Sequence, residues 1–197
     1  MFGGAFDPPH LGHVALAEAA LAQFALDALH IIPTGQAWHK TRDLSPPEHR
    51  LAMTRLAFDN VPGVIVDERE VLRAGPTFTF DTLQALQREN PCAELYLFIG
   101  ADQFAAFSQW HRWREILELA IICIADRAQS ALAPSQWEAY APYHHRFFTL
   151  KLSSIFISST QVRQLMASEV ATAQTAAPLV PEPVARYISV HQLYRPR

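Results

Sequence analysis

Apolar positions along this chain alternate between stripes that recur at about one helical turn and short unbroken runs. From residue 11 to about 24, Val14, Ala17, Leu21 and Phe24 share one face and predict a first helix. Leu29-His30-Ile31-Ile32-Pro33 follows as a short buried strand ended by proline. Ser45-Pro46-Pro47-Glu48 reads as a capping box, with Ser45 at the N-cap, proline at N1 and Glu48 reaching back from N3. The helix it opens carries Leu51, Met53, Leu56 and Ala57 and runs to about Asp59. Val64-Ile65-Val66 is strand-like by β-branching. After the Gly75-Pro76 break, residues 77–82 lead into a helix that reaches about Glu89 and stops at Asn90-Pro91. Residues 95–100 are apolar throughout, as a strand covered on both faces should be, and 120–125 form another such run. Residues 110–119 mix loop and helix, 135–140 predict a short helix, and 146–150 a further strand. Ser158-Ser159-Thr160 caps a helix through Met166, 171–183 reads as an Ala/Thr/Pro-rich loop, and 184–190 as a last helix.

Strands alternating with helices predict an α/β fold built on a doubly wound parallel sheet. At 197 residues the chain is expected to form a single domain, 1–197, with its last helices from about 158 packing as a C-terminal helical part. Ligands in such sheets bind beyond the carboxyl ends of the strands, where strand order reverses. The candidate chemistry falls there, just after strands.

The densest stretch is Gly3-Gly4-Ala5-Phe6-Asp7-Pro8-Pro9-His10-Leu11-Gly12-His13. Adjacent glycines permit positive φ and close approach of backbone to a ligand. A loop ending at a helix N-terminus presents unpaired N–H groups and the positive end of a dipole, which suits phosphate. His10 and His13 are three apart and face one side of a helical turn, with Gly12 keeping the floor open. A second such stretch is Ile157-Ser158-Ser159-Thr160-Gln161-Val162-Arg163. Hydroxyls there can simply cap a helix, but Arg163 lies one turn in, and its fork of donors suits phosphate oxygens.

Composition narrows the classes. Half of the residues are hydrophobic and 18% are charged, ordinary globular usage. A formal net charge of −3 lends no support to a nucleic-acid or membrane-surface partner, so positive charge must be built locally. Cys92 and Cys123 lack metal spacing, and a buried free thiol is expected for each. With no signal peptide and no apolar run of membrane-spanning length, a cytoplasmic location is expected.

Gly4 to His13 resembles the nucleotidyltransferase superfamily pattern G-x-F-D-P-x-H-x-G-H, and Ile157 to Arg163 its second signature, I-S-S-T-x-x-R. The resemblance implies a Rossmann-like nucleotidyltransferase fold. It also implies that His10, His13 and Arg163 act on the triphosphate, with Gly3, Gly4, Ala5, Phe6, Gly12, Ile157, Ser158, Ser159 and Thr160 around it. The family expects a short strand before the glycine loop. Here only Met1 and Phe2 precede Gly3, so that strand is either a stub or begins before Met1.

The middle of the chain resembles the bacterial nicotinate-nucleotide adenylyltransferases. Residues 75–83, Gly-Pro-Thr-Phe-Thr-Phe-Asp-Thr-Leu, are similar to their G-P-S-Y-T-x-D-T-L. Gly100-Ala101-Asp102 and Trp110-His111-Arg112-Trp113 resemble their G-x-D and W-x-x-W segments. The resemblance implies ATP and nicotinate mononucleotide as substrates, and nicotinate adenine dinucleotide and pyrophosphate as products. It implies Trp110 stacked on the pyridine ring, backbone N–H groups near Thr79 and His111 for its carboxylate, Gly100 beside the nucleotide, and Asp102, at the end of the central strand, positioning nucleotide hydroxyl groups or ordering the site. It further implies Lys40 as a cation near phosphate, and Mg²⁺ is expected to come with ATP rather than on protein ligands. Each of these residues has a plain structural reading beside it: Trp110 as a core aromatic, Asp102 as a turn acid, Lys40 as a solvated charge. Trp113 reads as packing, and His39, His49, His144 and His145 match no signature. Ala5 stands where the family often has a hydroxyl residue, and Phe78 where it often has tyrosine. Three alternatives stay open: a phosphopantetheine or nicotinamide-mononucleotide adenylyltransferase, a non-catalytic nucleotide-binding protein, and a metal-binding protein using His10 and His13. Oligomeric state, self-association included, is left open as well.

Overall fold

The computed structural model describes residues 1–35, 44–126, 140–152, 157–168 and 172–195. The chain opens with β1 (Phe2–Gly4), α1 (Leu11–Gln23), β2 (Leu29–Pro33), α2 (Pro47–Phe58), β3 (Val64–Val66), α3 (Arg69–Leu72) and α4 (Thr79–Glu89). It continues through β4 (Leu95–Gly100), α5 (Ala101–Ala105), α6 (Trp113–Leu119), β5 (Ala120–Asp126) and β6 (Phe147–Lys151). Three further helices close it: α7 (Ser159–Met166), α8 (Ala173–Ala176) and α9 (Glu182–Val190).

Among the described residues the strands form one six-stranded sheet, ordered β3-β2-β1-β4-β5-β6. All its pairings are parallel. The order reverses beside β1, where Phe2 pairs with Ile31 on one side and Phe98 on the other. A crevice at that reversal is what a doubly wound sheet offers a ligand.

Successive side chains of a strand point to opposite faces, so each inner strand serves two cores. Cys123 and Ala125 of β5 pack with Phe2, Phe98, Leu16 of α1, Met53 of α2 and Val162 of α7. Ile122 and Ile124 pack on the other face with Leu83 of α4, Phe104 of α5 and Ile116 of α6. This double coverage explains the unbroken apolar runs at β4 and β5. Burial pushes the Cys123 thiol up to about 12, so it is an inert part of the core.

Several expectations are corrected. Gly3 and Gly4 are strand residues, and the left-handed residue of this stretch is Phe6, at φ 47°. Phe6 folds its ring back over Gly4, where an added Cβ would stand 3.1 Å from the ring. Helix α2 begins one residue later than predicted, with Pro46 at the N-cap and Pro47 at N1. The Ser45 hydroxyl does not cap it; the Ser45 N–H donates instead to Asp7 Oδ2 at 3.3 Å. Within the stretch expected to be a loop, Thr172 caps the short helix α8. Cys92 is exposed, on the turn after Asn90-Pro91, rather than buried. The short helices α3 and α5 are too brief to show a period and were not predicted. The helix expected at 135–140 lies outside the described residues, save Tyr140.

The residue that ties the ligand-facing loops together is Arg50, only 1% exposed. It lies on the same helical face as Met53, Thr54 and Ala57, and periodicity alone assigns that face to the core. Its guanidinium donates to the carbonyls of Ala5 at 3.0 Å, Thr34 at 2.7 Å, Gly35 at 3.3 Å and Ser45 at 2.9 Å. Arg50→Met leaves these buried carbonyls short of donors and is expected to cost about 3 kcal/mol. Arg50→Lys keeps the charge without the fork and recovers less than half of that. Urea-unfolding midpoints of the three proteins check both expectations.

Candidate active site

A cavity of about 520 Å³ opens at the carboxyl ends of β1 and β4, inside the usual size range of small-molecule sites. One wall is the stretch from Gly3 to Phe6 together with His10, Gly12 and His13. Another is Gly100 and Asp102 at the end of β4. The far side is Thr79, Trp110 and His111, and Ser158 and Ser159 complete the rim. Lys40 and His39 lie outside the described residues. Arg163, Thr160 and Ile157 are not among the described residues that line the cavity.

The first helix start is built around two imidazoles. His10 is the N-cap of α1 and is 2% exposed. Its ring stacks on that of His13, centroids 3.7 Å apart and 26° between planes. The His10 N–H donates to His13 Nδ1 at 3.1 Å. An Nδ1 that accepts carries no proton, so His13 is the neutral tautomer with its proton on Nε2. The ring is wedged edge-on against Phe6, centroids 5.1 Å apart, which fixes its plane. The chain thus holds one N–H donor of set tautomer and set orientation in the cavity wall.

Helix α7 supplies the facing element, and its hydroxyls have separate tasks. Ser158 caps the helix: Oγ accepts from the Gln161 N–H at 3.2 Å, and Gln161 Oε1 accepts from the Ser158 N–H at 2.8 Å. The plain structural reading therefore holds for this serine's hydroxyl. Ser159 Oγ donates to the Pro8 carbonyl at 2.8 Å. Arg163 Nη1 donates to the Asp7 carbonyl at 2.7 Å, and Nη2 to Thr160 Oγ1 at 3.0 Å. The two sequence stretches are hydrogen-bonded to each other, more than 150 positions apart in the chain. The bonded carbonyls, of Asp7 and Pro8, lie three and two residues before His10.

On the opposite wall the aromatic segment is shaped by one strained residue. Arg112 sits at φ 56° as N-cap of α6, and its guanidinium lies 3.7 Å over the Phe80 ring. That reversal leaves His111 against Phe78, centroids 4.5 Å apart, joining the segments that carry Thr79 and Trp110. The half-buried indole of Trp110 packs on Phe107 and shows its remaining surface to the cavity. Trp113 faces the core, edge-on to Tyr140 at 5.6 Å, in keeping with packing. Asp102 is exposed in the first turn of α5, so close to Gly100 that a Cβ there would stand 2.6 Å from Oδ1. Any side chain at position 100 would displace that carboxylate.

Sequence reading gives no site role to three residues of the surroundings: Arg50, Tyr194 and Glu70. Glu70 is 5% exposed, lines the cavity, and accepts from Thr82 Oγ1 at 2.8 Å. No motif marks it; it reads as one charge among several in Asp67-Glu68-Arg69-Glu70. Burial pushes its carboxyl above the usual range, against the opposing pull of the Thr82 and Thr77 hydroxyls and the Arg73 charge. Among the described residues, no group of three or more His, Cys, Asp or Glu is placed to hold a metal ion, and no helix is long and apolar enough to cross a membrane.

A cavity at the reversal point of a parallel α/β sheet, rimmed by two clasped helix starts, defines a nucleotide-binding enzyme. The chain belongs to the cytidylyltransferase-like family, whose sequence model matches residues 1–165, and within it to the nicotinate-nucleotide adenylyltransferases. It is 49% identical to a probable nicotinate-nucleotide adenylyltransferase of Albidiferax ferrireducens, over 99% of this chain and 96% of that one. A protein of the same description from Methylibium petroleiphilum is 39% identical, over 100% of this chain and 92% of its own. In fold, the chain is similar to Plasmodium falciparum nicotinic acid mononucleotide adenylyltransferase complexed with NaAD. The TM-score is 0.80 at 16% identity, covering 98% of this chain and 95% of that one.

The raised Glu70 carboxyl has a stability consequence of definite sign. A folded-state pKa above the unfolded one favours the fold below the unfolded value, and that advantage is lost as pH rises through the folded value. Glu70→Gln imitates the protonated form. It is expected to match the wild-type melting temperature near pH 4 and exceed it by about 2–4 °C at pH 8. Thermal melts across that range check the expectation, and a gap independent of pH contradicts it.

Proposed function

We propose that the chain transfers the adenylyl group of ATP to nicotinate mononucleotide, releasing pyrophosphate and forming nicotinate adenine dinucleotide. The observation that carries this reading is the clasp of α7 onto the loop before α1. It sets two helix N-termini and the His13 donor on one side of a cavity whose other side is Thr79, Trp110 and His111. One half suits a triphosphate, the other a flat acid.

A phosphate oxygen of the mononucleotide attacks the α-phosphorus in line, a new P–O bond forms, and the bond to the β-phosphate oxygen breaks. The electron pair leaves with pyrophosphate. The attacking oxygen is already ionised near neutral pH, so no enzyme nucleophile is needed. The protein's task is to bring two anions together and to stabilise the charge that gathers on the transferring group. In our reading His13 Nε2–H donates to a phosphoryl oxygen, His10 holds the neighbouring position, and Arg163 with the α7 start faces the leaving phosphates. Trp110 stacks on the pyridine ring, N–H groups near Thr79 and His111 receive its carboxylate, and Asp102 orders nucleotide hydroxyls. Lys40, outside the described residues, is assigned to phosphate on the sequence resemblance alone.

Mg²⁺ would accompany ATP and would lower the charge of its phosphates. The described donor set around the cavity does not fit a resident ion: no three His, Cys, Asp or Glu converge there, Glu70 is buried on Thr82, and the Asp102 carboxylate accepts from Gln103. No step is assigned through the ion.

His13→Ala removes one aimed donor and is expected to lower kcat about 100- to 1,000-fold. Trp110→Ala is expected to raise KM for nicotinate mononucleotide about tenfold with a smaller change in kcat, since stacking is made before and during the transfer. Pyrophosphate release from ATP, measured with nicotinate and then nicotinamide mononucleotide as acceptor, checks both and tests the acceptor assignment. Release without preference for the acid contradicts the proposed carboxylate contacts.

A further inference from the structure

The Asp7 carboxylate is a poor neighbour for a polyanion, yet it is buried to 1% exposure within the loop between β1 and α1. Its position is defined from two distant parts of the chain. Tyr194 donates its hydroxyl to Oδ1 at 2.8 Å, and the Ser45 N–H reaches Oδ2 at 3.3 Å. The carbonyl of the same residue receives Arg163 at 2.7 Å. Asp7 is thus a junction: its side chain is gripped from the C-terminal segment, and its main chain carries the guanidinium assigned to phosphate.

Building on the adenylyl transfer assigned above, we propose that Tyr194 is a positioning residue for that reaction. Its hydroxyl holds Asp7, and through Asp7 it sets the loop on which Arg163 and the two histidines depend. The backbone supports the idea independently. Gln192 and Tyr194 both have positive φ, 50° and 69°, which is costly for residues with side chains. The chain after α9 turns back on itself, with the Leu193 N–H bonded to the Ile188 carbonyl at 3.0 Å, and so aims the Tyr194 ring inward. Strain of this kind persists where a specific contact is gained, and the contact here is a hydrogen bond to a buried carboxylate, among the stronger types. The nearby Arg163 charge and the Asp7 carboxylate act on the same phenol, so the three groups form one cluster.

The test is steady-state kinetics with ATP and nicotinate mononucleotide for wild type, Tyr194→Phe, Tyr187→Phe, Arg163→Lys and the Tyr194→Phe/Arg163→Lys pair, with melting temperatures for each. Tyr187→Phe is the control: its hydroxyl lies in the same C-terminal part but bonds His49, away from the loop. Expected are a kcat about tenfold lower for Tyr194→Phe with KM for the mononucleotide within about twofold, and a wild-type kcat for Tyr187→Phe. In the Arg163→Lys background, Tyr194→Phe is expected to cost little more, because both changes disturb one junction. A Tyr194→Phe protein with wild-type kcat overturns the proposal. So does an equal loss in both backgrounds, or a loss that Tyr187→Phe shares. A collapse of melting temperature with both KM values rising marks a mere structural prop and overturns it too. A wild type that releases no pyrophosphate overturns the assigned reaction, and the proposal with it. An active wild type beside an unaffected Tyr194→Phe overturns the role of Tyr194 alone.

Discussion

Two hydrogen bonds, Ser159 to the Pro8 carbonyl and Arg163 to the Asp7 carbonyl, close the site across more than 150 residues of chain. They join the start of α7 to the loop before α1, and each end alone would expose an incomplete set of donors. Bringing such distant segments together costs loop-closure entropy, which the two bonds do not offset by themselves. The apolar packing of Val162 and Met166 under the same helix, against the face of the sheet that buries Phe2 and Phe98, supplies the remainder. The polar clasp therefore sets geometry, while the core supplies the free energy.

This arrangement answers how a chain of net charge −3 can hold phosphates. At physiological salt, charges farther away than about 8 Å are largely screened, so the overall sign matters less than what stands at the wall. There the chain places helix starts and the Nε2–H tautomer of His13, with Arg163 bonded to the loop before α1. The carboxylates nearby are managed. Asp7 has its oxygens turned to Tyr194 and Ser45, and burial pushes Glu70 toward its neutral form. Arg50 adds a buried positive charge behind the Ala5 carbonyl, stiffening the loop from within.

The opposite wall is made rigid by aromatic contact rather than by hydrogen bonds. Phe78 and His111 lie against each other, Arg112 covers Phe80, and Phe107 backs Trp110. Stacked rings fix a plane at small entropic cost, which suits recognition of a flat ligand. The phenylalanine at position 78, where the family often has tyrosine, still fills this place through its ring.

What the amino-acid order alone determined here is local or periodic in origin. Strands Leu29–Pro33, Val64–Val66 and Leu95–Gly100 are read with their full bounds, because an apolar run between a turn and a proline or glycine admits few other structures. The two candidate phosphate-binding stretches are legible because glycine, histidine and arginine recur there at the spacing of a family pattern. Only the folded chain decided how those stretches divide their work. It gave the Ser158 hydroxyl to capping and Ser159 and Arg163 to the clasp. It put the left-handed turn on Phe6 instead of a glycine, and turned Arg50, Glu70 and Tyr194 inward. A charged residue looks alike in sequence whether solvated or buried. Its role depends on which distant carbonyl or carboxylate packing brings within about 3 Å, and that distance exists only in three dimensions.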